Sequence, residues 1–495
     1  MTRHFAVDLG AESGRCIVGT VENETVQLEE LCRFPTQVCQ LRGEYHWNIF
    51  RYYDEIINGL KLYVEKYGPH LDSIGVDTWG CDYCLLDHNG DIKSLPKSYR
   101  RMVSQIPYEV MEEKFGKFRL YQHHGIQFLD FNTLNQMIHE KLEDPAYLDD
   151  VTDMMFIGDS LHYLLGALAV CEYSTASISQ MVNTATRQWD DEIFEAFDLP
   201  KKLQTKIVFA GDPIGTLDDR IADAVGLNRG VKIITPAVHD TASASVAVPA
   251  EGENWASISS GTWSLASIEL DHPVNNQQSY DMNISNSAGV LGKSLFLKNI
   301  MGLWIIQQCK YRWEEKNPGL SYSKIVELAQ QATPFLAWIN PDDPRFFQPG
   351  DMPTRISEYL KQTGQTEVAP DNIGQIARIV YESLAMTYRH IFARIAQTCG
   401  KTIDTLHIVG GGSNNKMLNQ FTSNAMGIKV VAGPSECSAM GNVLMQAYGC
   451  KTANDLAHIR QIVKNSVELE YYTPENSAAW ETAYSTFAAV ISSFK

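Results

Sequence analysis

The sequence predicts an α/β protein built from two related halves. Apolar, β-branched runs at residues 4–10 (HFAVDLG) and 15–21 (RCIVGTV) flank the turn AESG. They read as a hairpin. The same strand–Gly turn–strand pattern returns at 255–261 (WASISSG) and 262–268 (TWSLASI), and Gly10 and Gly261 stand 251 positions apart in a chain of 495 residues. Single cores stop growing near ~250–300 residues, so this length calls for at least two. VAVPAEGEN, with its Pro, Gly and polar residues, marks a boundary near 245–250, giving expected domains of 1–246 and 247–495.

The remaining elements follow in order. Ile56, Leu60 and Val64 give helical spacing over about 51–66. Residues 72–86 are strand material interrupted at TWG and closed by the turn HNGD. Residues 133–148 and 155–169 read as helical, and 231–238 (VKIITPAV) as a short buried strand ending in His239-Asp240-Thr241. Helices are expected at about 300–313 and at about 372–398, the latter starting near Asn372 and ending near Gly400. The strand in LHIVGGGSNN (406–415) opens into a helix KMLNQFTSNAM, followed by a strand IKVVAG and a helix SAMGNVLMQAY. Beyond about 450 the apolar patterning is helical and carries no legible chemistry.

Composition excludes several classes. A formal net charge of −18 repels nucleic acid and anionic membrane surfaces, and the densest basic pair, Arg100-Arg101, is isolated. No apolar run approaches the ~18–20 residues of a membrane span. Nothing at the start of the sequence reads as a signal peptide, and ten scattered cysteines form no disulfide framework. The expectation is a soluble cytoplasmic protein with reduced thiols, a monomer or homodimer. Cys81 and Cys84 form a C-x-x-C that suits a metal or redox site, but no second such pair or paired histidine stands nearby. The segment also alternates as a buried strand does.

Five motifs carry chemistry. In DLGAESGR, backbone N–H groups at a tight Gly/Ser turn make an anion-binding concavity, and Asp8 supplies the hard oxygen ligand that Mg2+ prefers. Arg15 suits either a phosphate contact or a surface strand position, and the turn by itself is also an ordinary hairpin. No G-x-x-x-x-G-K-[ST] is present, which excludes the usual P-loop. SSGTWS offers a second cradle, with Thr262 able to donate from backbone and hydroxyl. Two such turns, one per half, can clamp a nucleotide's phosphates where one is only a turn. VGGGSNNKMLNQ puts three glycines before a helix, either to admit a flat ligand at a positive helix terminus or as a tight strand–helix turn. In AVHDTASAS, Asp240 is either a proton acceptor for a hydroxyl attacking phosphorus or a helix N-cap. LKNIMGLWIIQQ, read as helix, sets Asn299, Leu303 and Gln307 on one face, as a polar ligand contact or as a capping Asn with a surface Gln.

In this order the motifs resemble the FGGY carbohydrate kinase family of the actin-like ATPase superfamily. AVDLGAESGR, SIGVDTWGCDYCLLD, GIQFLDFNTLNQ, VHDTASA, SSGTWSL, LKNIMGLWIIQQ, INPDDPRF, LHIVGGGSNNKMLNQ and AGPSECSAMGN carry the resemblance over about residues 5–445. DTWG, LKNIMGLW and INPDDPRF resemble the branch acting on L-rhamnulose. The resemblance implies two ribonuclease H-like domains with an interdomain cleft. It implies transfer from ATP, with Mg2+, to the 1-hydroxyl of that small sugar. It puts Ala11, Glu12, Ser13, Gly14 and Arg15 at the ATP phosphates, with Thr262, Gln307 and Gly411 elsewhere around the nucleotide. It puts Gly80, His239, Asp240, Thr241 and Asn299 around the sugar, Asp240 as base and Asp8 on the metal side. Glu12 departs from the small or hydroxyl residue of relatives, so its side chain is expected outward. Thr422 and Met426 stand where one relative has a suggested disulfide, so none is expected there. Related kinases of fuculose, xylulose or glycerol share most of these motifs. An actin-like ATP switch shares the turns but has no need of His239-Asp240-Thr241.

Overall fold

The computed structural model describes residues 1–101, 103 and 105–492; the last three positions of the expected second domain lie outside the described residues. The chain is mixed α/β and divides into two compact units, each discontinuous in sequence. The first comprises Met1–Pro249, Glu269–Leu297 and Cys437–Val467, and the second Ala250–Ile268, Lys298–Glu436 and Glu468–Lys495.

The first unit is organised by a six-stranded sheet in the order Pro213–Thr216, Lys232–Ile234, Ser73–Thr78, Thr2–Leu9, Ser13–Glu22, Thr25–Pro35. Thr2–Leu9 and Ser13–Glu22 form the expected antiparallel hairpin. Thr2–Leu9 runs parallel to Ser73–Thr78, which runs parallel to Lys232–Ile234. The parallel register sets Asp8 beside Asp77, and a bridge from Thr78 to His239 continues that edge. Helix Ile49–Tyr67 buries Tyr52, Ile56, Leu60 and Tyr63 against the sheet core. Its first turn is capped by the Asn48 side chain, which accepts from the Arg51 N–H at 3.2 Å.

Helix Cys437–Gly449 belongs to the same unit. Its Ser438, Asn442 and Gln446 recur every four residues and so share one face. Close approach depends on two glycines. A Cβ on Gly19 would meet Val443 at 2.3 Å, and one on Gly441 would meet the Ser243 carbonyl at 1.9 Å.

The second unit repeats the plan. Strand Trp255–Ser260 pairs antiparallel with Trp263–Leu270 and parallel with Thr405–Val409, which pairs parallel with Lys429–Ala432. Helix Ile373–Cys399 starts at Asn372, whose side chain accepts from the Gln375 N–H at 3.2 Å, and ends at Gly400 with φ 66°. No described helix is long and apolar enough to cross a membrane.

Four expectations need correction. The helix expected over 133–148 is Thr133–Glu143, because Asp144 precedes Pro145 and takes an extended conformation. The stretch expected as helix over 155–169 is strand Asp153–Phe156 followed by helix Ile157–Leu164. Apolar Met154, Met155 and Phe156 fit either period, and sheet pairing decides. The strand expected over 231–238 is only Lys232–Ile234, ahead of Pro236. Asn299 lies in strand Ser294–Met301, and the helix begins at Trp304 after Gly302. Asn299, Leu303 and Gln307 therefore do not share a helix face.

Gly441→Ala should lower stability by about 1–3 kcal/mol through overpacking, read as a drop in thermal midpoint; an unchanged midpoint would contradict the close approach. Glu172 gives a pH-dependent test. Burial raises its carboxyl from 4.5 to about 7, so the fold favours the protonated form. That contribution is complete below about 4.5 and is lost as pH rises through about 7. Glu172→Gln should flatten the fall in thermal midpoint across this window, whereas parallel curves for both proteins would count against the shift.

Candidate active site

The carboxyl ends of the parallel strands of the first unit gather the reactive groups, where open α/β sheets hold their ligands. Asp8 is paired with the Arg15 guanidinium across the hairpin and accepts from the Ser438 hydroxyl at 3.1 Å. Asp77 is fully buried and accepts from the Asn442 amide at 2.6 Å. No donor reaches its Oδ1. Burial, and then the neighbouring Asp8 charge, hold Asp77 well above the usual carboxylate range. Gln446 extends the array, donating to Asn442 Oδ1 at 2.7 Å and accepting from Ser73 Oγ at 2.7 Å. Ser73 bonds His4 at 2.8 Å, and burial lowers His4 to about 4, so that imidazole is neutral.

Asp8 is the hard oxygen donor of the pair; Asp77, beside it in the register, is fully buried and held toward its protonated form. Among the described residues no cluster of three or more His, Cys, Asp or Glu could hold a metal alone. Mg2+ commonly takes one or two carboxylates and completes its shell with phosphate and water oxygens. The residues present fit that requirement.

Asp240 opens the helix Asp240–Val246, and His239, not Asp240, occupies the cap position without a side-chain cap bond. The capping alternative for Asp240 therefore fails, and its carboxylate is left for other work. Thr241 Oγ1 donates to Asp240 Oδ1 at 3.2 Å, and His239 Nε2 lies 3.7 Å from the same oxygen. Burial, then the Asp8 charge, raise the Asp240 carboxyl, while 36% of the side chain stays open to solvent and so to an approaching hydroxyl. His239 is lowered to about 4 by burial and is a neutral neighbour, not a counter-cation. Gly80 packs under it: a Cβ there would meet Ile178 at 2.1 Å and the His239 ring at 3.4 Å.

Buried carboxylates orient the walls. Asp82 accepts from the Trp47 and Trp79 indoles at 2.6 and 3.1 Å and from the Gln136 amide at 3.0 Å, and burial raises it to about 6. Glu172 accepts from the Val238 and Ser174 N–H groups at 3.0 and 2.9 Å, fixing the approach to His239. Cys81 and Cys84 are buried free thiols, both raised by burial. Cys84 lies in strand Tyr83–Leu86, but Cys81 sits in a bend before it with φ 74°, so the strand reading of the pair holds for Cys84 alone. The first turn is closed by Gly10 N–H to the Ser13 carbonyl at 3.0 Å, with Ala11 and Ser13 partly exposed, Glu12 exposed and Gly14 buried. Arg15, expected at a phosphate or on the surface, is half-buried and ion-paired with Asp8.

In the second unit the corresponding turn is closed by Gly261 N–H to the Trp263 carbonyl at 2.8 Å. The Thr262 carbonyl accepts from Gly302 and Trp304 N–H at 3.1 and 3.2 Å, and its hydroxyl stands 3.5 Å from Gln307 Oε1. Beside it lies a cavity of about 750 Å³ lined by Gly261, Ile306, Gln307, Tyr322, Tyr381 and Gly411 among others. Its size and apolar walls suit a flat aromatic ligand. Gly411 leaves its Cβ direction open, whereas a Cβ on Gly412 would meet Ser260 Oγ at 2.0 Å. The two neighbours thus serve different ends: Gly411 keeps the cavity open and Gly412 lets two backbones meet. Asn299 is half-buried in this unit, on its strand.

Motif reading passed over Ser438, Asn442 and Gln446 as functional groups. Their signal was present, since three polar residues at a spacing of four interrupt an otherwise apolar helix.

Residues 4–247 match the FGGY family of carbohydrate kinases, N-terminal domain, and residues 256–450 its C-terminal domain. A rhamnulokinase of Bacteroides thetaiotaomicron is 40% identical over 483 residues, covering 98% of each chain. A rhamnulokinase of Ligilactobacillus salivarius is 38% identical over 478 residues, covering 96% of each. Among solved structures, a ligand-bound xylulose kinase of Lactobacillus acidophilus superposes with a TM-score of 0.81 at 12% identity, covering 100% of this chain and 98% of the other. A Plasmodium falciparum glycerol kinase with ADP gives 0.76 at 14% identity, covering 99% and 98%. At such identities these two attest the fold. The two domain matches and the relatives that run nearly end to end with it carry the conclusion that the chain belongs to the FGGY family of carbohydrate kinases.

Proposed function

We propose that this kinase transfers the γ-phosphoryl group of ATP to the 1-hydroxyl of L-rhamnulose, as a step in L-rhamnose breakdown. The observation that carries the substrate is near full-length similarity to proteins named rhamnulokinase. The chemistry is supported by Asp240, a raised carboxylate still open to solvent beside a neutral His239.

Phosphoryl transfer passes through a loose transition state, so the protein's work is positioning and charge compensation. In this reading Asp240 accepts the proton of the attacking hydroxyl, and Thr241 holds the carboxylate in place. His239, Gly80 and Asn299 contact the sugar, beside indoles fixed by Asp82. The backbone N–H groups of Ala11, Glu12, Ser13 and Gly14, with Arg15, meet the phosphates. Thr262, Gln307 and Gly411 hold the rest of the nucleotide, the base lying in the 750 Å³ cavity. Asp8 would hold Mg2+ together with phosphate oxygens; when bound, the ion neutralises charge on the transferred group. The neutral sugar asks for hydrogen-bonding and aromatic partners rather than charge.

The first test is ADP release with Mg2+-ATP against a panel of ketoses and glycerol. L-Rhamnulose should stimulate release most, and Asp240→Asn should cut kcat by about 10²–10⁴. Stimulation by another sugar would move the substrate within the family, and stimulation by none would defeat the reading. A second test separates ligand contact from folding: Gly411→Ala should leave the thermal midpoint unchanged, since nothing lies within 4 Å of the added Cβ. It should raise the KM for ATP; an unchanged KM would take Gly411 out of the nucleotide site.

A further inference from the structure

We propose that Cys16 and Cys32 form a hydroperoxide-responsive dithiol that closes to a disulfide beside the Asp8–Arg15 pair. The two residues stand directly opposite each other in the antiparallel ladder between strands Ser13–Glu22 and Thr25–Pro35. Opposed antiparallel residues have Cα separations of about 4.5–5.5 Å, and a disulfide accepts about 4.4–6.8 Å. Opposed positions of such a ladder thus fall within the Cα range of a disulfide. The Cys16 thiol donates to the Glu55 carbonyl at 3.9 Å. The ladder shifts register between Cys16 and Ile17, a bulge that re-aims the side chains locally.

The pair is asymmetric in the way a dithiol reaction requires. Cys16 is fully buried, and Cys32 is half-buried. The neighbouring Cys16 thiol holds the Cys32 thiol below its ordinary range, against burial and the charges of Glu55 and Glu30. An attacking thiol is most effective with its pKa near the ambient pH. Cys81 and Cys84 lack this arrangement, being buried with both thiols raised.

The chemistry balances with a hydroperoxide as oxidant. The Cys32 thiolate attacks the distal peroxide oxygen, the O–O bond breaks, and an alcohol or water leaves after taking up a proton, with Cys32 as sulfenic acid. Cys16 sulfur then attacks that sulfur. The S–S bond forms, the S–O bond breaks, and the Cys16 proton leaves with the hydroxide as water. A dithiol reductant reverses the link by exchange.

Location gives the link a consequence. Cys16 follows Arg15, and the strand of Cys32 ends at Pro35, one residue before Thr36. Thr36 holds the first turn by donating to the Gly10 carbonyl at 2.6 Å and to the Glu12 carbonyl at 3.2 Å. Tying the strands at Cys16 and Cys32 constrains both sides of that turn, and the KM for ATP rises. This last clause rests on the phosphate role proposed for the turn.

The test treats the whole protein with hydrogen peroxide at neutral pH, alkylates it and maps peptides by mass spectrometry. The expected product is a Cys16–Cys32 cross-linked peptide with two thiols lost, restored by dithiothreitol together with the original KM for ATP. Cys16→Ser should stop at a Cys32 sulfenic acid trapped by dimedone. Full alkylation of Cys32 after peroxide, or a cross-link elsewhere, would overturn the dithiol; the wild-type map gives this result even if the variant fails to fold. A cross-link that leaves KM unchanged would overturn control of the turn. Absence of kinase activity before any oxidation would count against the ATP reading alone, because the peptide map does not depend on it.

Discussion

The parallel register that sets Asp8 beside Asp77 is the constraint on which the first unit depends. Two carboxylates at adjacent strand ends repel each other, and burial strengthens that repulsion. The unit answers with donors from one helix and one strand. Ser438 and Arg15 serve Asp8, and Asn442 serves Asp77. The remaining oxygen of Asp77 is left with the Asp8 carboxyl as its neighbour, and Asp77 is driven toward its protonated form.

That solution dictates packing at some distance from the chemistry. For Asn442 to reach Asp77, helix Cys437–Gly449 must lie close against its neighbours, which excludes side chains at Gly19 and Gly441. It must also present an unbroken polar face, so Gln446 bridges Asn442 and Ser73 instead of leaving either unsatisfied. Removing one member of such a chain strands a buried polar atom, which costs about 1–3 kcal/mol each. A segment distant in sequence thereby becomes part of the same compact unit as the first strand.

Elements whose signals are local were legible in the sequence. The first hairpin, the helix from Asn372 to Gly400 and the strand–glycine–helix of the second unit follow from turn residues, caps and spacing. Asp240 was open between proton acceptor and helix cap, and the helix start at His239 removes only the second. What failed were stretches where neighbours in space decide. Met154 to Phe156 became strand by pairing with Tyr83–Leu86. Asn299 fell in a strand because Gly302 bends the chain back onto Thr262. The partner of Arg15 was also illegible, since only cross-strand register puts it over Asp8.

Raised carboxyls are common in the first unit, and their surroundings differ in solvent access. Asp77, Asp82, Asp159 and Glu172 are all raised by burial, and each is at most 2% exposed. Each accepts from indole, amide or backbone donors that the fold supplies. Such groups hold walls and strand ends in place and have no open face for a substrate. Asp240 shares their raised affinity for a proton but keeps a third of its surface free. A proton acceptor needs both properties: enough basicity to take the proton as the hydroxyl attacks, and an open oxygen to receive it. Of these five carboxyls only Asp240 combines them, which supports the proton-accepting role proposed for it, and burial keeps its neighbour His239 neutral, so no cation there lowers its basicity.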